Sequence, residues 1–400
     1  MPTNSCRISA SVVFAWMLAA TLCLAEDSVV SLPISAGRDA YEPAVAFGGD
    51  TFLVAWKSGH LAKGDLRQGF NYEGDIVACR VDASGKPLDE EPISISGAAD
   101  LQERPRIAFG GGVFLVVWQV MRNGKDWDVY AARVTPQGKV LDQLGIAVAR
   151  ADHNQALPDV AWDGKAFQVV WQDFRSNTHY EVYGARVSTA GKLLAAESEK
   201  LVSEKAPFSR INPVVASLPN GSSLLFWLGG GAPAGTTAAV SGCHLLKEGK
   251  VSAQAVFENQ DARSTPGGST GHLPFPVAIA AAKERFLVAW TTDVPYGRGN
   301  TPNDAQAAIF AEDGKLERKI VLPQVKVRGQ SENRRIRHPD IAWSGEAFAM
   351  TWYEIIEDRQ NRLAPWPSEK VYFSRIGTDG QVKQTDLIAG NPTAPASKPA

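Results

Sequence analysis

The chain is poor in the residues that usually announce chemistry. Its 400 residues include four cysteines and six histidines. No CxxC, HxH or HxxxH spacing groups them, so no metal site of a familiar kind is written in the sequence. No D-x-D-x-D loop announces calcium. Walker and dinucleotide-binding glycine motifs are absent too. Net charge is also scarce: −2 at pH 7, with a pI near 6.3. That removes the basic footprint of a nucleic-acid binder, and the local run Arg334, Arg335, Arg337 and His338 reads as a solvated loop. Long apolar runs are missing apart from Val12–Leu24, which is too short for a comfortable membrane span.

That one run has a different explanation. Arg7 precedes it, and Cys23-Leu24-Ala25 puts a small residue before Glu26, as at a signal-peptide cleavage site. Residues 1–25 are therefore expected to be removed, leaving an exported chain, periplasmic or extracellular, with no membrane span.

What the chain has in quantity is repetition. The fullest unit is Pro158–Lys192: PDVAW, a turn at Asp163-Gly164-Lys165, AFQVVW, a polar loop, EVYGARV, and a turn at Thr189-Ala190-Gly191-Lys192. Short apolar runs bounded by Gly and Asp turns read as an antiparallel meander. Proline opens each copy at Pro43, Pro105, Pro158, Pro213, Pro276 and Pro339. Tryptophan ends each second strand at Trp56, Trp118, Trp171, Trp227, Trp290 and Trp352. The spacing is 13 residues except in the fourth and fifth copies, where it is 14, which points to a bulge or longer turn there.

A third marker agrees. Glycine closes the later turn at Gly85, Gly138, Gly191, Gly249, Gly314 and Gly380. Six residues before each stands a small side chain: Cys79, Ala132, Ala185, Cys243, Ala308 or Ser374. A meander cannot bury both faces alone, but six stacked around an axis can. The expected fold is therefore all-β: a six-bladed β-propeller of four-stranded antiparallel blades over residues 26–390, with a disordered tail at 391–400. Ser28–Gly37 resembles a fourth strand and is expected to complete the last blade and close the ring; Gln381–Leu387 competes for that place. Cys79 and Cys243 occupy the same slot on opposite sides of such a ring, so both are expected to be free, buried thiols.

The turns between strands one and two, and between strands three and four, are short in every copy and share one face. The remaining loops diverge and share the other, which makes that mouth the candidate site. The inter-blade loops bring Arg38, Glu42, Glu103, Arg104, His153, Arg210, Arg263, His272, Arg335 and His338 towards the axis. Opposed carboxylates and arginines suit a polar ligand, and they equally suit salt bridges between loops. No catalytic set and no metal is assigned; a structural calcium held by loop carboxylates and carbonyls is the sole cofactor candidate. Trp127, Tyr180, Tyr296 and Trp366 in the other loops are candidates either to stack on sugars or to cap their own loops.

The pattern G-x-x-F-x-V-V-W-x-D-x-R followed by V-Y-x-A-R-V-x-x-x-G, fullest at Gly164–Gly191, resembles the repeat of secreted bacterial tandem-repeat β-propellers. The resemblance implies a secreted or cell-surface module and brings no catalytic residues with it. It fades where the third-strand arginines Arg80, Arg133, Arg186 and Arg375 give way to His244 and Ile309. The S-x-D-x-G-x-x-W boxes of six-bladed sialidases are missing. Two functions follow as expectations. The first is a binding module that takes a polar small molecule, a glycan or a protein on its loop-rich face. The alternative is a carbohydrate-active enzyme, a glycosidase or polysaccharide lyase, with acid/base groups in the inter-blade loops.

Overall fold

The computed structural model describes residues 39–61, 72–97, 100–121, 124–194, 200–201, 209–230, 242–248, 250–255, 277–291, 305–321, 333–357 and 368–389. The signal peptide, Ser28–Gly37, the tail, and Arg38, Arg263, His272, Tyr296 and Trp366 lie outside them. The described residues form six sheets of four antiparallel strands and no helix. The blades run Asp39–Ser96, Gln102–Ala149, Gln155–Leu201, Ser209–Ala255, Val277–Val321 and Asn333–Ala389, and are numbered one to six. No described helix is long and apolar enough to cross a membrane.

Within each sheet the strands are ordered as in the sequence. The first strands of blades one to six lie against one another in succession and build the inner wall. Second strands are buried on both faces, which explains unbroken apolar runs such as Phe114–Trp118. The cores lie between blades. Trp118 packs with Leu53, Ala55 and Ala78 of blade one, Trp171 with Leu115 and Val117 of blade two, and Trp227 with Val170 and Val182 of blade three. Trp290 joins Leu224 and Phe226 of blade four, and Trp352 joins Leu287 and Ala289 of blade five. Each of the six repeated indoles is no more than 3 % exposed. The small slot is equally tight, and Cys79 and Cys243 are both free and buried.

Closure of the ring by Ser28–Gly37 is not shown, since that segment lies outside the described residues. The fourth place in blade six is filled by Val382–Ala389, hydrogen-bonded along Val371–Ile376. The chain carries its own last strand from the C-terminal side, so that blade needs no N-terminal strand to reach four. The longer Pro-to-Trp spacing also resolves. In blade four the extra residue enlarges the hairpin turn, where Leu218 N–H bonds to Ser222 O around Pro219–Gly221. Blade five keeps a two-residue turn, Lys283-Glu284, between Ala282 and Arg285, so its extra residue is not there.

The face with short turns is latched blade to blade. Arg80 and Arg133 each clamp an aspartate nine residues on, Asp89 and Asp142, at 2.6 and 2.8 Å. Arg133 also donates through Nη1 to Thr189 O of blade three at 2.8 Å. The Gly191 turn in blade three sits so close that a Cβ there would fall 2.7 Å from Arg133 Nε. Arg318 makes the same reach from blade five to Asp379 O of blade six. The repeated arginines are structural.

Candidate functional site at the axial mouth

The repeated proline shapes the inner wall. In five blades the pairing of the first and second strands shifts by one residue beside it. The residue before proline is left-handed at Glu42 (φ 54°), Arg104 (φ 58°), Leu157 (φ 53°) and Asn212 (φ 51°). Such backbone costs a non-glycine residue about 1–3 kcal/mol. Its recurrence marks a built-in bulge, a device that re-aims the side chains around it.

Three of the bulges expose an amide that the preceding blade caps. Arg104 N–H bonds to Glu42 Oε2 at 2.9 Å, Leu157 N–H to Gln119 Oε1 at 2.9 Å, and Asn212 N–H to Gln172 Oε1 at 3.1 Å. Gln119 and Gln172 each follow a repeated tryptophan. In blade one that position is Lys57, whose buried Nζ lies 3.0 Å from Glu103 Oε1. Glu103 also accepts from Gln119 Nε2 at 3.4 Å.

The described candidates therefore divide. Glu42, Glu103 and Arg104 belong to the seam between blades one and two, with Arg104 Nη2 3.7 Å from Glu42 Oε1. Arg210 is buried at the seam between blades three and four. Its guanidinium lies over the Trp227 ring at 5.3 Å, and its N–H bonds to Tyr180 O. His153 is half-buried, left-handed, and edge-on to Phe174 at 6.1 Å. Arg335 and His338 lie on the first strand of blade six, His338 immediately before the repeated proline.

The loops of blades two to four hold one another. Asn154 accepts from Trp127 N–H at 3.0 Å, Gln155 N–H reaches Trp127 O, and Phe174 N–H reaches Asn154 O. Trp127 is 8 % exposed and so is no stacking platform. Tyr180 packs on Phe174 at 4.8 Å, and burial pushes its hydroxyl pKa up against the opposing effect of its Asn154 hydrogen bond. Both cap their own loops.

The groups that do converge stand one residue after the proline, a position the loop reading passed over. Going round the ring these are Ala44, Arg106, Asp159, Val214, Val277 and Asp340. Arg106 Nε lies 3.9 Å from Asp159 Oδ1, and Val215 N–H of blade four donates to Asp159 Oδ2 at 2.8 Å. Burial pushes the Asp159 carboxyl up to about 6. Arg106 and the amides of Val215 and Val160 pull it down, and the charge of Asp340, from the blade opposite, raises it further. Asp340 itself accepts from Ile341 N–H at 2.9 Å. The result is a half-buried carboxyl whose proton affinity is raised, with a cation beside it and a second carboxylate within electrostatic reach. The signal was present in the sequence as charged residues at a strand position that is apolar in other copies. Among the described residues no three His, Cys, Asp or Glu side chains are placed to hold a metal ion.

Gly267-Gly268-Ser269-Thr270-Gly271 fits G-x-S-x-G in letters. It lies outside the described residues, and the elbow that gives this motif meaning is a strand-to-helix turn.

By fold the chain is a six-bladed β-propeller with a polar axial mouth. No family model matches it, and no curated protein does. Among solved structures it is similar to an α-L-arabinofuranosidase from Fusarium graminearum, with 13 % identity and a TM-score of 0.48 over 81 % of this chain and 90 % of that one. A GH43 enzyme from Xanthomonas citri complexed with xylose has 11 % identity and a TM-score of 0.43, covering 94 % and 96 %. A protein of unknown function from Dyadobacter fermentans has 13 % and 0.43, covering 79 % and 91 %. Likeness at this level carries no activity from those proteins to this chain.

Proposed function

We propose that the axial mouth cleaves glycosidic bonds, with Asp159 as general acid and Asp340 as general base. One observation carries this reading: two opposed inner strands each place an aspartate after the repeated proline, and one of the pair is held protonated up to a pH of about 6. Glycoside hydrolysis asks for a protonated carboxyl and an ionised one on either side of the bond. Asp159 gives its proton to the glycosidic oxygen as the C–O bond breaks. Asp340 takes a proton from the water that attacks the anomeric carbon, and solvent then restores both groups. In this reading the chain is exported by its N-terminal apolar segment and meets glycans in the periplasm or outside the cell.

A second reading is kept because the seams favour it. Glu42, Glu103 and Arg104 are held by one another and by Lys57, as expected of a rigid mouth that binds without turning over. A polysaccharide screen of the mature chain, scored for both binding and new reducing ends, separates the two. Arabinan and xylan go on the panel because an arabinofuranosidase and a xylose complex are among the similar structures. Hydrolysis is expected to be lost in both Asp159→Asn and Asp340→Asn with binding kept. Binding with no cleavage of any glycan, or cleavage that survives both substitutions, would overturn the enzymatic reading.

A further inference from the structure

We infer that the glycan carries a carboxylate, bound at Arg106. The inference rests on the axial mouth being the glycan site. Its support is the difference between Arg106 and the arginines whose ion pairs are short and shielded. Arg80, Arg133, Arg175 and Arg186 each make an ion pair of 2.6–2.8 Å with an aspartate, and each has a side chain less than a quarter exposed. Those guanidiniums are committed to the fold. Arg106 stands on the inner wall with 47 % of its side chain exposed, and its ion pair with Asp159 is 3.9 Å long and made through Nε; Arg150 makes an equally long pair with Asp128, but it follows the outermost strand of blade two.

Asp159 is a weak partner for it. That carboxylate already accepts Val215 N–H at 2.8 Å on its other oxygen, and its proton affinity leaves it partly neutral near pH 6. A cation on the inner wall with so loose a local partner is suited to take an anion from outside. The flat guanidinium fork matches a planar carboxylate with two parallel hydrogen bonds, a fit that an ammonium lacks. Of the other five wall positions at this level, Ala44, Val214 and Val277 are uncharged and Asp159 and Asp340 are acidic, so Arg106 is the one cation among the six. Arg106 therefore distinguishes an acidic sugar unit, a uronate, from neutral pentoses and hexoses. Its place beside the proposed proton donor sets that unit next to the bond to be cleaved.

The test uses the mature chain and oligosaccharides of defined charge: galacturonate oligomers, neutral xylo- and arabino-oligomers, and a sulfated oligosaccharide. Binding is measured by calorimetry on Asp159→Asn, which removes turnover, and cleavage on the native chain. The galacturonate oligomers are expected to bind at least about tenfold tighter than the neutral ones, the worth of one charge-assisted hydrogen-bonded pair. Arg106→Met should collapse that ratio towards one. Arg106→Lys should restore only part of it, because the charge returns without the fork. A thermal melt of each variant checks folding, which a half-exposed side chain should not govern.

Equal or better binding of neutral oligomers, a ratio unchanged in Arg106→Met, or no glycan bound at all would each overturn the inference. So would a preference for the sulfated ligand over the uronate. Uronate binding that depends on Arg106 without any cleavage leaves the inference standing and removes the hydrolase reading. Cleavage of neutral glycans alone does the reverse.

Discussion

The Val215 amide in blade four donates to the Asp159 carboxylate in blade three at 2.8 Å, across a seam that has no other charged group within hydrogen-bond reach of that oxygen among the described residues. A group placed this way makes stability depend on pH. Its folded pKa, about 6, lies above the unfolded value of roughly 3.9. The folded state thus holds the proton more tightly, so this stabilisation is complete below about pH 4 and is lost as pH rises through 6. Its ceiling is about 3 kcal/mol by the linkage constant; water at the side chain, 16 % exposed, lowers it. Thermal melts of the native chain should fall between pH 4.5 and 7.5 relative to Asp159→Asn, which lacks the step. Parallel curves would show that Asp159 has an ordinary pKa.

Trp171 is fully buried, and its Nε1–H donates to Asp173 Oδ2 at 2.9 Å. Trp171→Ala removes the core contact between blades two and three and strips Asp173 of a donor. The expected loss is about 3–5 kcal/mol, read from urea unfolding. A loss below about 1 kcal/mol would mean that the indole does not anchor the seam.

Gln172 presents its Oε1 to the N–H of left-handed Asn212 and is itself completely buried. Gln172→Leu keeps the volume and leaves that strained amide without an acceptor, at a cost of about 1–3 kcal/mol. Hydrogen exchange should locate the change, with the Asn212 amide losing protection while the outer strands keep theirs. Uniform loss across the blade would point to global destabilisation.

Gly191 has φ +77°, and an added Cβ would meet the Arg133 guanidinium at 2.7–2.9 Å. Gly191→Ala combines a left-handed backbone penalty with displacement of the Arg133 latch, for an expected cost of about 1–3 kcal/mol. The double variant with Arg133→Ala should cost less than the two single changes added together, since the side chain that clashes is then gone. Strict additivity would show that the arginine does not contact the turn.

Burial pushes the Cys243 thiol up to about 12 and raises Cys79 as well. Neither should react with a thiol reagent in the native state, and both should react in urea. A reducing agent should leave the melting temperature unchanged. Labelling of the native chain at pH 8 would contradict this.

Much of the architecture is legible in the letters because strand and turn signals are local. Proline, tryptophan and the small slot recur at nearly fixed spacing, and in five blades the tryptophan packs against the blade before it. The loop residues Glu42, Glu103 and Arg104 were legible as polar and near the axis. Their commitment to one another was not, since salt bridges across a seam join residues such as Lys57 and Glu103 that lie far apart in sequence. Asp159, Arg106 and Asp340 looked like ordinary strand residues, and only the ring brings three blades to one axis.

The sequence by itself determined the number of blades, the face that carries variable loops and the free state of both thiols, because each follows from a local pattern repeated six times. Tertiary structure alone decided which polar groups were consumed in holding blades together and which faced the axis. It also decided the proton affinity of Asp159, because burial and the charge of an opposite blade are properties of space that no stretch of chain contains.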